Sequence, residues 1–419
     1  MTTTDPTTAL GAIRAIVGDP FVRDAAPADA VRGVTPRIVV EPADARQVGE
    51  VLAAATAAGL TVVPRGGGTK LDWGNRPRRV DAIVSTSRLD QIVEHAWADL
   101  TVTVQAGCTI QALQDALRTH GQRVAVDPLW PERATVGGVL AANDAGALRL
   151  RFGGLRDLII GSTIALADGT LASSGGKVVK NVAGYDLSKL VTGALGTLGV
   201  VTSAIFRLHP LPQQARTLSA EVRDPAGAQH VMQALQDSTL VHAALQVRTS
   251  SSAPINVDML FEGTAAGIDA QTHLARTLAG GVRLDESPAS VWQARQDLWN
   301  AAGPVLKISG LVSELARMLG EIRRVADAAG VESHVVFQAT GVGCVSLSPA
   351  REGWPELLRR VRASMADASG RVTVLRPALP DDTADSWPGT GDAQPLMDAV
   401  KQQFDPTRTL NPGRFVGGI

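Results

Sequence analysis

The stretch VVPRGGGTKLDWG, residues 62–74, sets three glycines in succession directly behind a short apolar run. Glycine gives up more conformational freedom on folding than any other residue. Such a run is kept at a sharp turn, or where side chains would block a close approach to the main chain. It also frees three consecutive N–H groups to converge on one anion. The residues in front, TVV, are β-branched and read as a strand, so the glycines leave a strand end. A phosphate-bearing ligand is the first expectation, and the rest of the chain must specify it.

The chain has 419 residues, too many for one ordinary core, so two or more lobes are expected. It carries 40 basic and 41 acidic residues, a balance that argues against nucleic-acid binding. Its two cysteines, Cys108 and Cys344, cannot supply the four thiolates of an iron–sulfur cluster and make a disulfide framework improbable. The opening residues show no basic segment followed by an apolar core, and the longest apolar run (51–64) is too short to span a bilayer. The expectation is a protein of the reducing cytoplasm, touching a membrane only peripherally or through partners.

Residues 36–64 read as strand, helix, strand, with Asp44 as helix cap and Gly59 as stop. LTVTVQAG, the cap Thr109, IQALQDALRTH and RVAV repeat the pattern, which indicates α/β architecture up to about residue 130. Long strands and one short helix, DLSKLVTGA, follow over 157–208. RLHPLPQQAR breaks the pattern with two prolines. Beyond it come two β-α-β-β-α-type series, the signature of ferredoxin-like units, and PDDTADSWPGTGD reads as an exposed loop.

Two familiar phosphate motifs fail on spacing. Gly68 is followed by Thr69, Lys70 and Leu71, so G-x-x-x-x-G-K-[ST] is absent, and Gly66, Gly68 and Leu71 do not make a G-x-G-x-x-G that opens a helix. A second small-residue segment, TVGGVLAANDAG (135–146), stands about 70 residues on. Two bare segments suit a long ligand such as a dinucleotide better than a single phosphate.

PRGGGTKLDWG, TVGGVLAANDAG and RFGGLRDLIIGSTIALADGTLASSGGKVVKNVAGYDLSKLVTGALGTLGVVTSAIFRLHP together resemble the FAD-binding domain of the vanillyl-alcohol oxidase / p-cresol methylhydroxylase (PCMH) superfamily. The ending FDPTRTLNPGRF resembles the C-terminal return of its D-2-hydroxyacid dehydrogenase and glycolate oxidase branch. The wording is most similar to the glycolate oxidase FAD-binding subunit, the E-type subunit; the larger catalytic subunit generally has Glu where this chain has Leu195. The resemblance covers residues 31–212 and 401–416. It implies an α+β fold: a helical lead (1–30), a PCMH-type two-subdomain FAD-binding domain (31–212), a ferredoxin-like α+β cap domain (213–395) and a segment returning to the FAD domain (396–419).

The resemblance also implies site residues. Arg65, Gly66, Gly67, Gly68 and Thr69 match the pyrophosphate loop, and Pro128, Thr135, Gly137, Gly138 and Asn143 match the second FAD segment. Val201 matches a residue whose main chain meets the adenosine half, and Asn411 one that reaches towards the flavin. The loop contains no histidine for a covalent flavin link, and Cys108 reads as buried packing, so non-covalent FAD is expected. Tyr185 either lines the flavin pocket or packs a strand–helix corner; Lys177, Lys180 and Arg414 are either charges near the flavin or structural and solvated cations.

The catalytic relatives carry H-x-G-D-G-N-x-H in the second domain, supplying a base and metal ligands. The matching stretch here is FQATGVGCVSLSP: Gly341 and Gly343 remain, Val342 and Cys344 replace the aspartate and asparagine, and both histidines are missing. No catalytic residue is assigned and no metal is expected. Oxidation of a 2-hydroxy acid needs a base at the hydroxyl and a cation for the carboxylate; Arg248, Arg295 and Lys307 are candidates for the cation. The expected function is the FAD-binding flavoprotein subunit of a glycolate or D-lactate oxidising complex, beside a larger catalytic FAD subunit and an iron–sulfur subunit. A free-standing FAD-dependent D-2-hydroxyacid dehydrogenase and a structural FAD-binding subunit without turnover are the alternatives.

Overall fold

Helix α1 (Pro6–Val17) and strand β1 (Val22–Asp24) lead into β2 (Ile38–Val40), α2 (Ala45–Ala57) and β3 (Val62–Arg65), the strand–helix–strand unit that the patterning predicts. Asp44 caps α2 by accepting from Gln47 N at 2.8 Å. β4 (Ala82–Ser85) lies between β2 and β3, giving the order β1-β2-β4-β3 with only β1 antiparallel. Val48, Val51, Leu52 and Ala55 of α2 share a core with Val40, Val62 and Val84.

β5 (Ile92–Ala96), β6 (Thr101–Gln105), α3 (Ile110–Arg118), β7 (Gln122–Arg123), α4 (Val136–Ala142), α5 (Arg149–Phe152), α6 (Leu155–Leu158), β8 (Ile159–Ala165), β9 (Leu171–Gly175), α7 (Leu187–Val191), β10 (Val200–Arg207) and β11 (His209–Pro210) follow. Thr109 caps α3, accepting from Ala112 N. The stretch from 100 to 126, patterned like the first unit, does not extend the parallel sheet. β6 joins an antiparallel sheet of order β5-β6-β10-β8-β9, and RVAV shrinks to β7, paired with β11. Burial explains the difference. All of β2 and β4 is buried, as parallel strands covered on both faces require, whereas β6 keeps Thr103 and Gln105 partly exposed.

β12 (Gln214–Val222), α8 (Pro225–Gln236), β13 (His242–Ser250), β14 (Ile255–Gly263), α9 (Ala265–Leu278) and β15 (Leu284–Ser287) make one β-α-β-β-α-β series. After α10 (Ala294–Asp297), β16 (Val305–Ser309), α11 (Leu315–Ala329), β17 (Glu332–Gln338), β18 (Val342–Ser348), α12 (Trp354–Asp367) and β19 (Arg371–Arg376) make a second. The two ferredoxin-like units fuse through antiparallel β13–β17 pairing into one eight-stranded sheet, β15-β12-β14-β13-β17-β18-β16-β19. α13 (Gln394–Phe404) precedes the tail.

The computed structural model describes residues 6–177, 185–349 and 353–419. Two compact units emerge: unit 1 takes in the chain up to Ala145 with Gly154–Leu211 and Pro380–Ile419, and unit 2 takes in Gly146–Gly153 and Pro212–Leu379. No described helix is long and apolar enough to cross a membrane. The loop PDDTADSWPGTGD is held at several points: Arg32 donates to Pro380 O and Asp382 O, Ser386 is fully buried with its Oγ donating to Gly74 O at 3.0 Å, and Trp387 Nε1 donates to Arg414 O at 3.0 Å.

Candidate cofactor-binding site

β3 ends at Arg65 and delivers the chain into the glycine loop. Among the described residues, the main-chain N–H groups of Gly66, Gly67, Gly68 and Thr69 donate to no acceptor. Adjacent unmet amides of this kind form an anion-binding concavity. The glycines have separate reasons to be bare. A Cβ on Gly66 would lie 2.0 Å from Thr135 Oγ1, and one on Gly67 would lie 1.7 Å from Arg133 O. Gly68 takes φ +72°, the left-handed region that glycine enters without strain.

The second segment is hung on the end of β6. Gly137 N donates to Ala106 O at 2.8 Å and Val136 N to Cys108 O at 2.9 Å. Thr135 caps α4, its Oγ1 accepting from Gly138 N at 3.3 Å. A Cβ on Gly137 would press on Ala106 Cβ at 2.8 Å, while one on Gly138 would meet only Thr135 Oγ1, at 3.2 Å. Gly137 is therefore a packing glycine, and Gly138 opens onto empty space.

That space is two clefts sharing Pro64, Arg65, Gly66, Gly138 and Ala141. One runs along Gly67–Leu71 to Leu195, Asn411 and Arg414. The other runs past Thr86 and Gly137 to Val191, Gly196 and Gly199–Val201. Arg65, Gly66, Gly67, Gly68, Thr69, Thr135, Gly137, Gly138, Val201 and Asn411 thus meet around one groove. Pro128 and Asn143 line neither cleft. Pro128 is buried, and Asn143 ends α4 in the left-handed conformation with its N–H on Leu140 O. Arg65 turns its guanidinium to Asp29 at 2.6 Å; hydrogen bonds from Arg23 and Arg65 hold that carboxyl far below the usual carboxylate range.

The tail closes the groove. Val62 N donates to Thr409 O, and Asn411 N donates to Val62 O, so residues 409–411 run beside β3. Asn411 Nδ2 then donates to Leu195 O at 2.5 Å, and Leu195 holds φ +50°. Arg414 is buried and donates to Leu71 O and Trp73 O, both at 2.6 Å; burial, with Arg32 nearby, brings its pKa down to about 10.

Sequence reasoning missed the buried ion pairs behind these loops. Lys401 Nζ meets Asp405 Oδ2 at 2.6 Å and donates to Thr197 O and Leu410 O. Lys70 Nζ lies 3.1 Å from Asp144 Oδ2, between the rings of Trp73 and Trp130. Only the i, i+4 spacing of Lys401 and Asp405 was available as a signal. Of the other flagged residues, Cys108 is buried with its thiol pKa raised by burial, Tyr185 is 92% exposed, and Lys177 pairs with Glu94. Lys180 lies outside the described residues. Gly341 turns the β17–β18 hairpin, where a Cβ would meet Gly310 O at 2.4 Å. Among the described residues no cluster of His, Cys, Asp or Glu is arranged to hold a metal ion.

A family profile described as an FAD binding domain matches residues 36–175. A solved structure of p-cresol methylhydroxylase with substrate bound superposes with a TM-score of 0.76 at 16% identity, covering 97% of this chain and 96% of that one. Residues 36–175 thus belong to an FAD binding domain family, and the chain shares the fold of p-cresol methylhydroxylase.

Glycolate oxidase subunit GlcD of Bacillus subtilis is 33% identical over 211 residues, 50% of this chain and 45% of the relative. D-2-hydroxyglutarate dehydrogenase of Xanthomonas citri pv. viticola is 27% identical over 91% of this chain and 89% of the relative. The chain spans less than half the length of the first curated relatives that it matches. FAD is the cofactor of the matched domain, and the groove fits it: unmet amides at Gly66–Thr69 suit a diphosphate, and the two clefts that meet there leave room for the halves of an extended dinucleotide.

Proposed function

We propose that this chain is an FAD-dependent oxidoreductase acting on a small 2-hydroxy acid, and that it works as the FAD-binding flavoprotein subunit of a glycolate or D-lactate oxidising complex, beside a larger flavoprotein subunit and an iron–sulfur protein. The observation that carries the reading is the row of unpartnered amides at Gly66–Thr69, set in a domain of the FAD-binding family. The names of the relatives, glycolate oxidase and D-2-hydroxyglutarate dehydrogenase, support the substrate class.

Bound FAD supplies the acceptor for the electrons leaving the hydroxyl-bearing carbon. The chain's own residues hold the cofactor. The amides of Gly66–Thr69 and the cap residue Thr135 surround the diphosphate position, Gly138 and Ala141 leave room for it, and Asn411 fixes the 195–196 turn through Leu195 O. Binding is non-covalent: the loop has no histidine, and Cys108 keeps its thiol buried against Thr109 O. The missing histidines and the Val342 and Cys344 replacements favour a subunit that relies on a partner for chemistry.

A second reading, a free-standing D-2-hydroxyacid dehydrogenase, is favoured by the near full-length match to D-2-hydroxyglutarate dehydrogenase. One experiment separates them. The purified chain is expected to be yellow and to release FAD into the supernatant on acid precipitation. Mixed anaerobically with glycolate, D-lactate or D-2-hydroxyglutarate, it should stay oxidised alone and bleach only with its co-purified partners. Bleaching without partners establishes the second reading, and a colourless protein that cannot be reconstituted with FAD ends both.

A further inference from the structure

The residues ahead of the matched FAD binding domain reach its groove through one carboxylate. Segment 25–34 lies over one face of the β1-β2-β4-β3 sheet, where Val31 packs with Val39, Val63 and Ile83. Arg23 pairs with Val39, Val39 with Ile83 and Ile83 with Val63, so Arg23 stands in one row with these core residues. Arg65 lies two positions beyond Val63 on β3, which puts its side chain on the same face. The covering segment sets Asp29 where both guanidinium groups donate to it.

The Asp29 carboxylate is saturated. Oδ1 accepts from Arg23 Nη2 at 2.8 Å and Arg65 Nη1 at 2.6 Å; Oδ2 accepts from Arg23 Nη1 at 2.7 Å and Ala26 N at 2.8 Å. Its side chain is buried, whereas that of Arg23 is half-exposed. A carboxylate held by a guanidinium fork and a main-chain amide is fixed in one orientation. From that orientation it grips Arg65 by a single nitrogen.

Arg65 keeps donors to spare. Among the described residues its Nε and Nη2 donate to no acceptor. The side chain is only 16% exposed, and it lines both clefts at the point that they share with Gly66 and Gly138. The unmet amides of Gly66–Thr69 follow it directly in the chain. Spare guanidinium donors beside a row of open amides form a donor set for phosphate oxygens. A long side chain gives up rotamer freedom when it takes hold of a ligand, and the Asp29 contact removes that freedom in advance.

We infer that Asp29 is a positioning residue for the cofactor: held by Arg23, it fixes Arg65 so that the remaining N–H groups of Arg65 meet the diphosphate. The inference rests on the FAD reading above and extends the cofactor site to residues outside 36–175. One effect opposes it. Without the Asp29 charge the two arginines attract any anion more strongly. Salt screens that attraction, with a screening length of about 3 Å at 1 M, but does not restore a lost orientation.

The test is therefore made in about 1 M salt, titrating the full-length apo-protein with FAD and following flavin fluorescence. Asp29→Asn is expected to weaken binding about tenfold, and Arg65→Met by about tenfold or more. In the Arg65→Met background Asp29→Asn should change the affinity by less than about twofold, because nothing is left to position. Arg23→Met alters a half-exposed side chain and keeps the test sound if Asp29→Asn fails to fold; it should weaken binding about threefold in the parent and not at all with Arg65→Met. Variants that fold and bind like the parent overturn the inference. An equal loss with and without Arg65 overturns it too, since Asp29 would then act on the fold alone. A parent chain that takes up no FAD overturns the cofactor reading itself, and this inference with it.

Discussion

Gly67 and Gly138 are both cofactor-loop glycines by their place in the sequence, but a side chain at each would strike different things. At Gly67 it would strike Arg133 O, a main-chain atom that cannot yield without moving the second segment. At Gly138 it would approach only the Thr135 hydroxyl and otherwise enter the cleft. Gly138 also sits within α4, where replacing glycine by a residue with a Cβ costs the helix nothing in propensity. Gly138→Val is therefore expected to fold with a thermal midpoint near that of the parent apo-protein and to lose FAD affinity by about tenfold or more, roughly 1.4 kcal/mol per decade. Titration of apo-protein with FAD, followed by flavin fluorescence, reads the change. A Gly138→Val chain that purifies with a full complement of FAD would show that the cofactor does not pass this point.

At the scale of elements, α13 is fixed to the groove by one ion pair. Asp405 is wholly buried and takes Lys401 Nζ, Thr409 N and Leu410 N, and Lys401 in turn holds Thr197 O in the GALGTLG turn. Burial lowers the Lys401 pKa and the Asp405 charge opposes that shift. Asp405→Asn strands a cation in the interior, which costs about 3–5 kcal/mol. The expected result is a lower midpoint in urea denaturation together with faster FAD release, because Asn411 and Leu195 lose their anchor. A loss below about 1 kcal/mol would mean that the pair does not hold the tail. Little of this clamp was legible. The caps Asp44 and Thr109 and the helices that they start were readable because their partners lie within three residues. Thr197 lies 204 residues from Lys401, and the Arg32 side chain reaches Asp382 O 350 residues away. Nothing local marks such pairs. The antiparallel β6–β10 register was hidden for the same reason, while the two β-α-β-β-α-β series were visible in periodicity and only their β13–β17 junction was not.

At the scale of the molecule, unit 1 is assembled from three separate lengths of chain, and its groove draws on all of them. The loop 66–69, the second segment 135–141, the turn 195–201 and the tail 411–414 each contribute wall. A ligand that orders such a site acts on every contributor at once, since each backbone segment is held by hydrogen bonds to another: Asn411 to Leu195, Leu195 to Ala141, Val62 to Thr409. Binding to the native state alone adds about 2.7 kcal/mol at a hundredfold excess over Kd, and local openings of those segments are suppressed with it. Removal of FAD is therefore expected to raise amide hydrogen exchange simultaneously in 66–72, 135–143, 193–201 and 409–414. These segments span all three lengths of unit 1. Mass-resolved exchange on holo- and apo-protein makes the comparison. A change confined to the glycine loop would reduce the site to a lone phosphate pocket and remove the basis for a dinucleotide lying along both clefts.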